Sequence, residues 1–302
     1  MRIGAHLPLA DFGGGCPTAL ELSRYVSAAR DLGYATIAAN DHLFWQRPWL
    51  DGPTALASVA AAAGDMRLAT SVTLPVLRHP VVVAKSLTTL AALSTGPVIG
   101  GLGPGSSRAD YEAVGVPFEE RWARFDSAIR LVKTLVGGAS VEEMPFYPGA
   151  SALAPIPAHS PQIWFGSWGS DRRFASLAAV ADGWFASAYN ATSNQYAASR
   201  ARLNDHLRTA ARDPDSFPDS VATMWLHITE DRAEANALLN DVLAPALNRD
   251  PALLAHLPIG GAGHCSEVLA AYAAAGAREV LLWPVLGGLD QLERCAAAAA
   301  AA

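Results

Sequence analysis

Side chains able to move a proton or cradle an anion gather at five places along this chain: His6, Asp41-His42, Thr70-Ser71-Val72, Gly101–Ser107 and Gly166–Ser170. The set is rich in glycine, hydroxyl and imidazole and almost free of carboxylate. An imidazole titrates close to neutrality, so an adjacent carboxylate readily tunes it as a proton donor or acceptor. Asp41-His42 is therefore a candidate acid–base pair with His42 as the catalytic residue, and Trp45 and Trp49 just beyond it are candidates to shape a substrate pocket with His6 and Ser106. A purely structural reading of the pair has Asp41 capping the next turn and His42 making a packing hydrogen bond. In Trp164–Ser170, glycines permit close backbone approach, and the free N–H groups of a following helix can hold a phosphate. Arg172 and Arg173 would add charge there, although an ordinary tight turn reads the same way. Gly100–Ser106 offers a floor without side chains for a planar ring. It fails the dinucleotide fingerprint, because Arg108 stands where the third glycine belongs.

Other chemistries are poorly served. Lys85 and Lys133 are the only lysines and both fall in predicted helices, which disfavours Schiff-base catalysis. His6, Asp41 and His42 are too few to complete a hydrolytic metal centre, so no metal is expected. Cys16, Cys265 and Cys295 form no CxxC pair and read as reduced, structural thiols. A net charge of −6 with no basic stripe gives no footprint for nucleic acid. With 51% hydrophobic and 17% charged residues, the chain can bury a large core. No apolar run reaches the roughly 18 residues of a membrane span. The N-terminal segment reads as a first buried strand rather than a signal peptide, so the expected location is the cytoplasm.

The elements that must position these residues alternate. Apolar runs of strand length lie at Arg2–Leu7, Ala35–Ala39, Arg67–Leu74, Pro97–Leu102, Gln162–Gly166, Gly183–Ala186, Ser220–Ile228 and Glu279–Pro284, as expected for parallel strands covered on both faces. Between them run helical patterns: 19–32, closed by Gly33; 119–136, closed by Gly137 and Gly138; 171–181; and 192–211, with Thr192 as N-cap. Eight alternations in one chain predict a single α/β domain, a (β/α)8 TIM barrel with its chemistry on the rim after the strands; an open doubly wound sheet is the competing topology. Two long connections, 137–161 near the barrel mouth and 231–278 with at least two helices, interrupt the pattern. The terminal alanine run, Ala296–Ala302, reads as a fraying helix end.

The ordered stretches Ala29–Ile37 running into Asp41-His42, Arg67–Pro75, Arg78–Lys85, Gly101–Gly105, Phe118–Asp126, Ala181–Trp184 and Ala273–Val280 resemble, over nearly the whole chain, the luciferase-like family of flavin- and coenzyme F420-dependent oxidoreductases. The resemblance implies a non-prolyl cis peptide at Ser71-Val72, whose bulge supports the central ring of the cofactor. By position, Thr70, Ser71 and Val72 would back the ring and Gly103 and Gly105 line it. Gly166, Ser167, Trp168, Gly169 and Ser170 would bind the phosphate, and Asp41 and His42 would lie beside the reactive edge. It also implies a small-molecule substrate and a homodimer formed through helices after the second and third strands. F420-dependent hydride transfer is the leading expectation, favoured by an alanine- and arginine-rich composition resembling that of actinobacterial proteins. The alternatives are an FMN-dependent monooxygenase fed by a separate reductase, and a flavin-binding protein without catalysis. Ser106 stands where sugar-phosphate dehydrogenases of the family carry glutamate, which argues against that substrate; Trp45, Trp49, Trp168 and Phe146 would shape an apolar pocket instead, unless they serve core or dimer packing.

Overall fold

In the computed structural model, which describes residues 1–167, 169–286 and 288–302, the apolar runs form parallel strands that close on themselves. They are β1 (Arg2–His6), β2 (Thr36–Ala39), β3 (Arg67–Thr73), β4 (Val98–Leu102), β5 (Gln162–Gly166), β6 (Gly183–Ser187), β7 (Asp219–Ile228), the two-residue β8 (Ile259–Gly260) and β9 (Glu279–Pro284). The hydrogen-bonded order β6-β5-β4-β3-β2-β1-β9-β7 returns from β7 to β6 and closes an eight-stranded ring, with β8 attached to the C-terminal end of β7 outside it. This is a (β/α)8 TIM barrel, and the open-sheet alternative is excluded by that closure.

Each predicted strand is found within a residue or two, because strands covered by helices on one side and packed inside the barrel on the other carry uninterrupted apolar sequence. The helices stop where the sequence supplies caps. Thr18 and Glu21 form a reciprocal capping box at the start of Ala19–Asp31, and Gly33, at φ +82°, turns the chain back towards β2. Thr192 caps Ser193–Thr209 in the same way, paired with Gln195. The terminal alanine run is the end of a helix, Leu289–Ala300, whose Leu292, Cys295 and Ala298 are buried and whose Leu292 O accepts from the Tyr34 hydroxyl. Burial of one face holds an alanine helix that propensity alone would leave marginal.

The connection 137–161 carries antiparallel bridges at Val141–Ala150 and Met144–Tyr147, and its tip packs Tyr147 against His79. The connection 231–278 holds helix Arg232–Ala237, a π-helical stretch Leu238–Leu243, Ala244–Leu247, the 3-10 turn Pro251–Leu254 and helix Ala262–Ala274. All three cysteines are free, Cys265 and Cys295 being buried and Cys16 exposed. Among the described residues, no helix is long and apolar enough to cross a membrane.

Inside the ring, Ala38, Ala69, Ile99, Trp164, Phe185, Ala222 and Leu281 form a separate buried cluster. It plugs the barrel and leaves the rim as the floor on which a site can be built.

Candidate active site

Strand periodicity places the rim. Side chains repeat on one face every second residue, so the inward positions one layer above the plug include Asn40, Ser71, Gly166, Ser187 and Trp283. His6, at the end of β1, joins this layer fully buried, with its ring stacked on Trp283 at 4.2 Å and its Nε2 lying 3.2 Å from Ser71 Oγ. Burial lowers its pKa to about 3, so His6 is neutral at physiological pH, and it is not among the residues lining the cavity beside His42.

The Ser71–Val72 peptide is cis, and the β3–β4 register shifts between Thr70 and Thr73. Thr70 Oγ1 donates to Gly101 O at 2.9 Å. Val72 explains two glycines that the sequence presents as an open floor. A Cβ on Gly103 would stand 2.6 Å from Val72 Cγ2, and one on Gly166 would stand 2.7 Å from Val72 Cγ1. The glycines are thus the seat of the Val72 bulge, and the bulge rather than the glycine backbone faces the rim. Gly105, at φ +79°, makes the turn after β4 beside Leu74 and Tyr111.

Asp41 is committed to the protein. Its Oδ2 accepts from Thr73 Oγ1 (2.7 Å), Arg78 Nε (2.7 Å) and Leu74 N (3.3 Å), and its Oδ1 accepts from Arg78 Nη2 (2.6 Å). Arg78 also pairs with Asp51. This buried fork ties the exit of β2 to the exit of β3 and so fixes where His42 sits relative to the bulge. The sequence readings have Asp41 tuning His42 or capping the next turn; the contacts instead bind it to Thr73, Leu74 and Arg78. Arg78 was not among the sequence-derived candidates; its partner lies 37 positions away, beyond any local pattern.

His42 is half-buried, with its ring 4.9 Å from Trp49 and 6.4 Å from Trp45. Desolvation lowers its pKa, opposed by the charges of Asp110 and Asp41, which leaves a neutral imidazole able to accept a proton. His42 lines a cavity of about 520 Å3 together with Trp45, Trp49, Ser106, Trp225 and Trp283, and with Asn40, Tyr189, Thr223 and Asn248. Trp225 and Trp283 were missed because tryptophan inside an apolar strand reads as core; counting by twos along β9 from the plug residue Leu281 would have found Trp283. Phe146 lies elsewhere, exposed beneath the Arg124 guanidinium, and does not join the cavity.

The predicted phosphate cradle begins helix Asp171–Val180. Gly169 has φ +99°, and the Ser170 side chain makes no capping bond, so the helix start keeps backbone N–H groups to offer an anion. Ser167 is buried, accepting from Gly169 N through its hydroxyl and from Trp184 Nε1 through its carbonyl. The two arginines do not supply the expected charge together: Arg173 is buried, paired with Asp126 at 2.8 Å and stacked on Trp122, while Arg172 remains exposed. Trp168 lies outside the described residues. The uncapped helix start offers donors to a phosphate and the Val72 bulge offers an apolar seat to a planar ring, as a phosphate-tethered tricyclic group requires; neither is part of the lining of the His42 cavity.

A parallel barrel with its rim built in this way is the architecture of a small-molecule enzyme. Residues 4–279 match the model of the luciferase-like monooxygenase family, and the chain belongs to that family, whose members are oxidoreductases. It is 37% identical over 129 residues to an F420-dependent glucose-6-phosphate dehydrogenase of Beutenbergia cavernae, covering 40% of this chain and 38% of that one. It is 29% identical over 229 residues to an F420-dependent hydroxymycolic acid dehydrogenase of Mycobacterium tuberculosis, covering 72% and 61%. The chain thus spans less than two thirds of the length of these relatives. The solved structure of an F420-dependent secondary alcohol dehydrogenase, with an F420–acetone adduct, superposes with a TM-score of 0.85 at 14% identity, covering 99% of this chain and 98% of that one. At that identity the likeness is one of fold.

Proposed function

We propose that this protein is an F420-dependent oxidoreductase acting on a small organic alcohol or carbonyl compound, with His42 as its acid–base residue. The observation that carries the reading is a neutral, half-buried imidazole in the wall of a cavity of about 520 Å3, on the chain segment that Asp41 and Arg78 tie to the exit of β3. F420, a 5-deazaflavin, supplies hydride-transfer chemistry when bound. Val72, seated on Gly103 and Gly166, would support its ring, and the backbone N–H of Ser170 at the uncapped helix start would hold its phosphate. Asp41 and Arg78 keep His42 in place without reaching the substrate themselves. His42 takes the proton of an alcohol hydroxyl, or returns one to a carbonyl oxygen in the opposite direction. The tryptophans around it keep bulk water from the transfer.

The cofactor relationships of the relatives support F420, whereas the family also contains the monooxygenases that give it its description. Titration of the purified protein with F420 and with FMN, each oxidised and reduced, followed by fluorescence, separates the two. Micromolar binding of F420 without FMN is expected. Binding of FMN alone would replace the proposal with reduced-flavin oxygenation supplied by a separate reductase, and binding of neither would end both.

A further inference from the structure

The cavity wall carries no formal charge. Among the described residues lining it there is no Asp, Glu, Lys or Arg; its polar groups are His42, Asn40, Gln46, Ser106, Ser107, Tyr189, Thr223 and Asn248. The nearest charged side chains stand outside the lining and are engaged with the chain. Arg249 donates to Asn190 Oδ1 at 2.8 Å, Arg47 lies over the Phe12 ring, and Asp110 accepts from Phe44 N. A phosphate or carboxylate entering here would lose its hydration with no cation to replace it.

One side of the cavity is built of indole rings. Trp45 and Trp49 meet edge to face at 4.7 Å, Trp49 and Trp283 at 5.5 Å, and Trp283 stacks on Trp225 at 3.9 Å. This arrangement offers ring faces and edges at nearly right angles, the geometry in which a further planar ring gains most.

Other parts of the lining are polar and strained. Thr223 adopts φ +54°, a conformation that a β-branched residue rarely takes, where the β7–β9 register breaks between Val221 and Met224. Ser187 Oγ lies 2.8 Å from Thr223 Oγ1, and Thr223 Oγ1 donates to Ala222 O at 2.7 Å. Asn190 Nδ2 steadies Ser187 in turn at 3.0 Å. Asn248, also in the lining, is left-handed, at φ +50° and ψ +50°, and ends the helix Ala244–Leu247. Backbone held in such regions marks places where position matters more than stability.

Resting on the oxidoreductase reading of this same site, we infer that the substrate is an uncharged, planar ring compound bearing a hydroxyl or carbonyl, packed against Trp45, Trp49 and Trp283 and oriented by Thr223 and Asn248. This excludes sugar phosphates and free carboxylic acids as substrates.

The test is calorimetric titration of the protein, with and without F420, using four probes: 2-naphthalenemethanol, its saturated decahydro counterpart, 2-naphthoate and glucose 6-phosphate. The aromatic alcohol is expected to bind at least about tenfold more tightly than the naphthoate, and several-fold more tightly than the saturated alcohol. Trp49→Leu, checked for folding by circular dichroism, should erase the preference for the aromatic over the saturated ring. Thr223→Val should weaken both alcohols while keeping that preference. Equal or tighter binding of naphthoate or glucose 6-phosphate would overturn the inference, as would indifference to ring saturation. Aromatic preference in a protein that fails to bind F420 would leave this inference standing and remove the cofactor reading; F420 binding without the preference would do the reverse.

Discussion

The two ends of the barrel are made from the same eight strands and treat polar groups in opposite ways. At the N-terminal ends of the strands the groups are paired. Glu279, almost fully buried, accepts from Thr36 Oγ1 at 2.7 Å and pairs with Arg67. Asp219 holds Arg200 at 2.6 Å, whose other donors reach Pro214 O and Phe217 O, and Asp182 takes Lys133 Nζ at 2.8 Å and Ile163 N at 2.9 Å. At the C-terminal ends Nδ1 of His6 and His42 and Nε1 of Trp49 and Trp225 lack partners, and His79, Thr223 and Asn248 carry positive φ. One end is a clasp in which each buried charge is answered; the other holds polar atoms and strained backbone in reserve. The division is physical: groups that must meet a ligand cannot all be satisfied before it arrives.

Breaking the comparison at the rim should give the largest effect. His42→Ala is expected to reduce turnover by about 10²–10⁴-fold while F420 affinity changes little. Unchanged steady-state rates would strip His42 of its role. At the opposite end, Glu279→Ala leaves Arg67 and Thr36 facing a gap and should cost about 3–5 kcal/mol in urea unfolding, with turnover of the folded fraction preserved. A loss of activity without a loss of stability would show that the clasp is not merely structural.

Gly103→Ala tests how the rim is seated. Its Cβ would collide with Val72, and overpacking of about 1–3 kcal/mol should appear chiefly as weaker cofactor binding, relieved by the double variant Gly103→Ala/Val72→Ala. No relief would mean that the two residues do not act together.

The effect smallest at neutral pH lies at His6, whose pKa falls from 6.5 to about 3 on burial. Between those values the unfolded chain binds a proton that the folded protein refuses, so stability falls as pH is lowered through 6.5 towards 3. The contribution is roughly 1.4 kcal/mol per pH unit. His6→Phe keeps the stack on Trp283 and should flatten that part of the acid limb; an unaltered slope would place the acid sensitivity elsewhere.

What the sequence made legible follows the same division. Strands buried on both faces announce themselves, and so did the rim positions that follow them directly, Asp41-His42 and Ser106. Relations between distant segments did not. That Gly103 and Gly166 exist to admit Val72, that Asp41 is spoken for by Arg78, and that Arg173 faces Asp126 all depend on which chains lie side by side. Glycine in a strand says only that space is needed, not what fills it. Trp225 and Thr223 were hidden by the irregularity in β7 that aims them, since a bulge resets the alternation from which facing is read.

The plug of Trp164, Phe185, Ile99 and Leu281 has a kinetic meaning. It makes the barrel a blind well, open at one end only, so molecules that occupy it share one doorway. Whatever lies deepest must arrive first and depart last, and anything resting above it delays its escape.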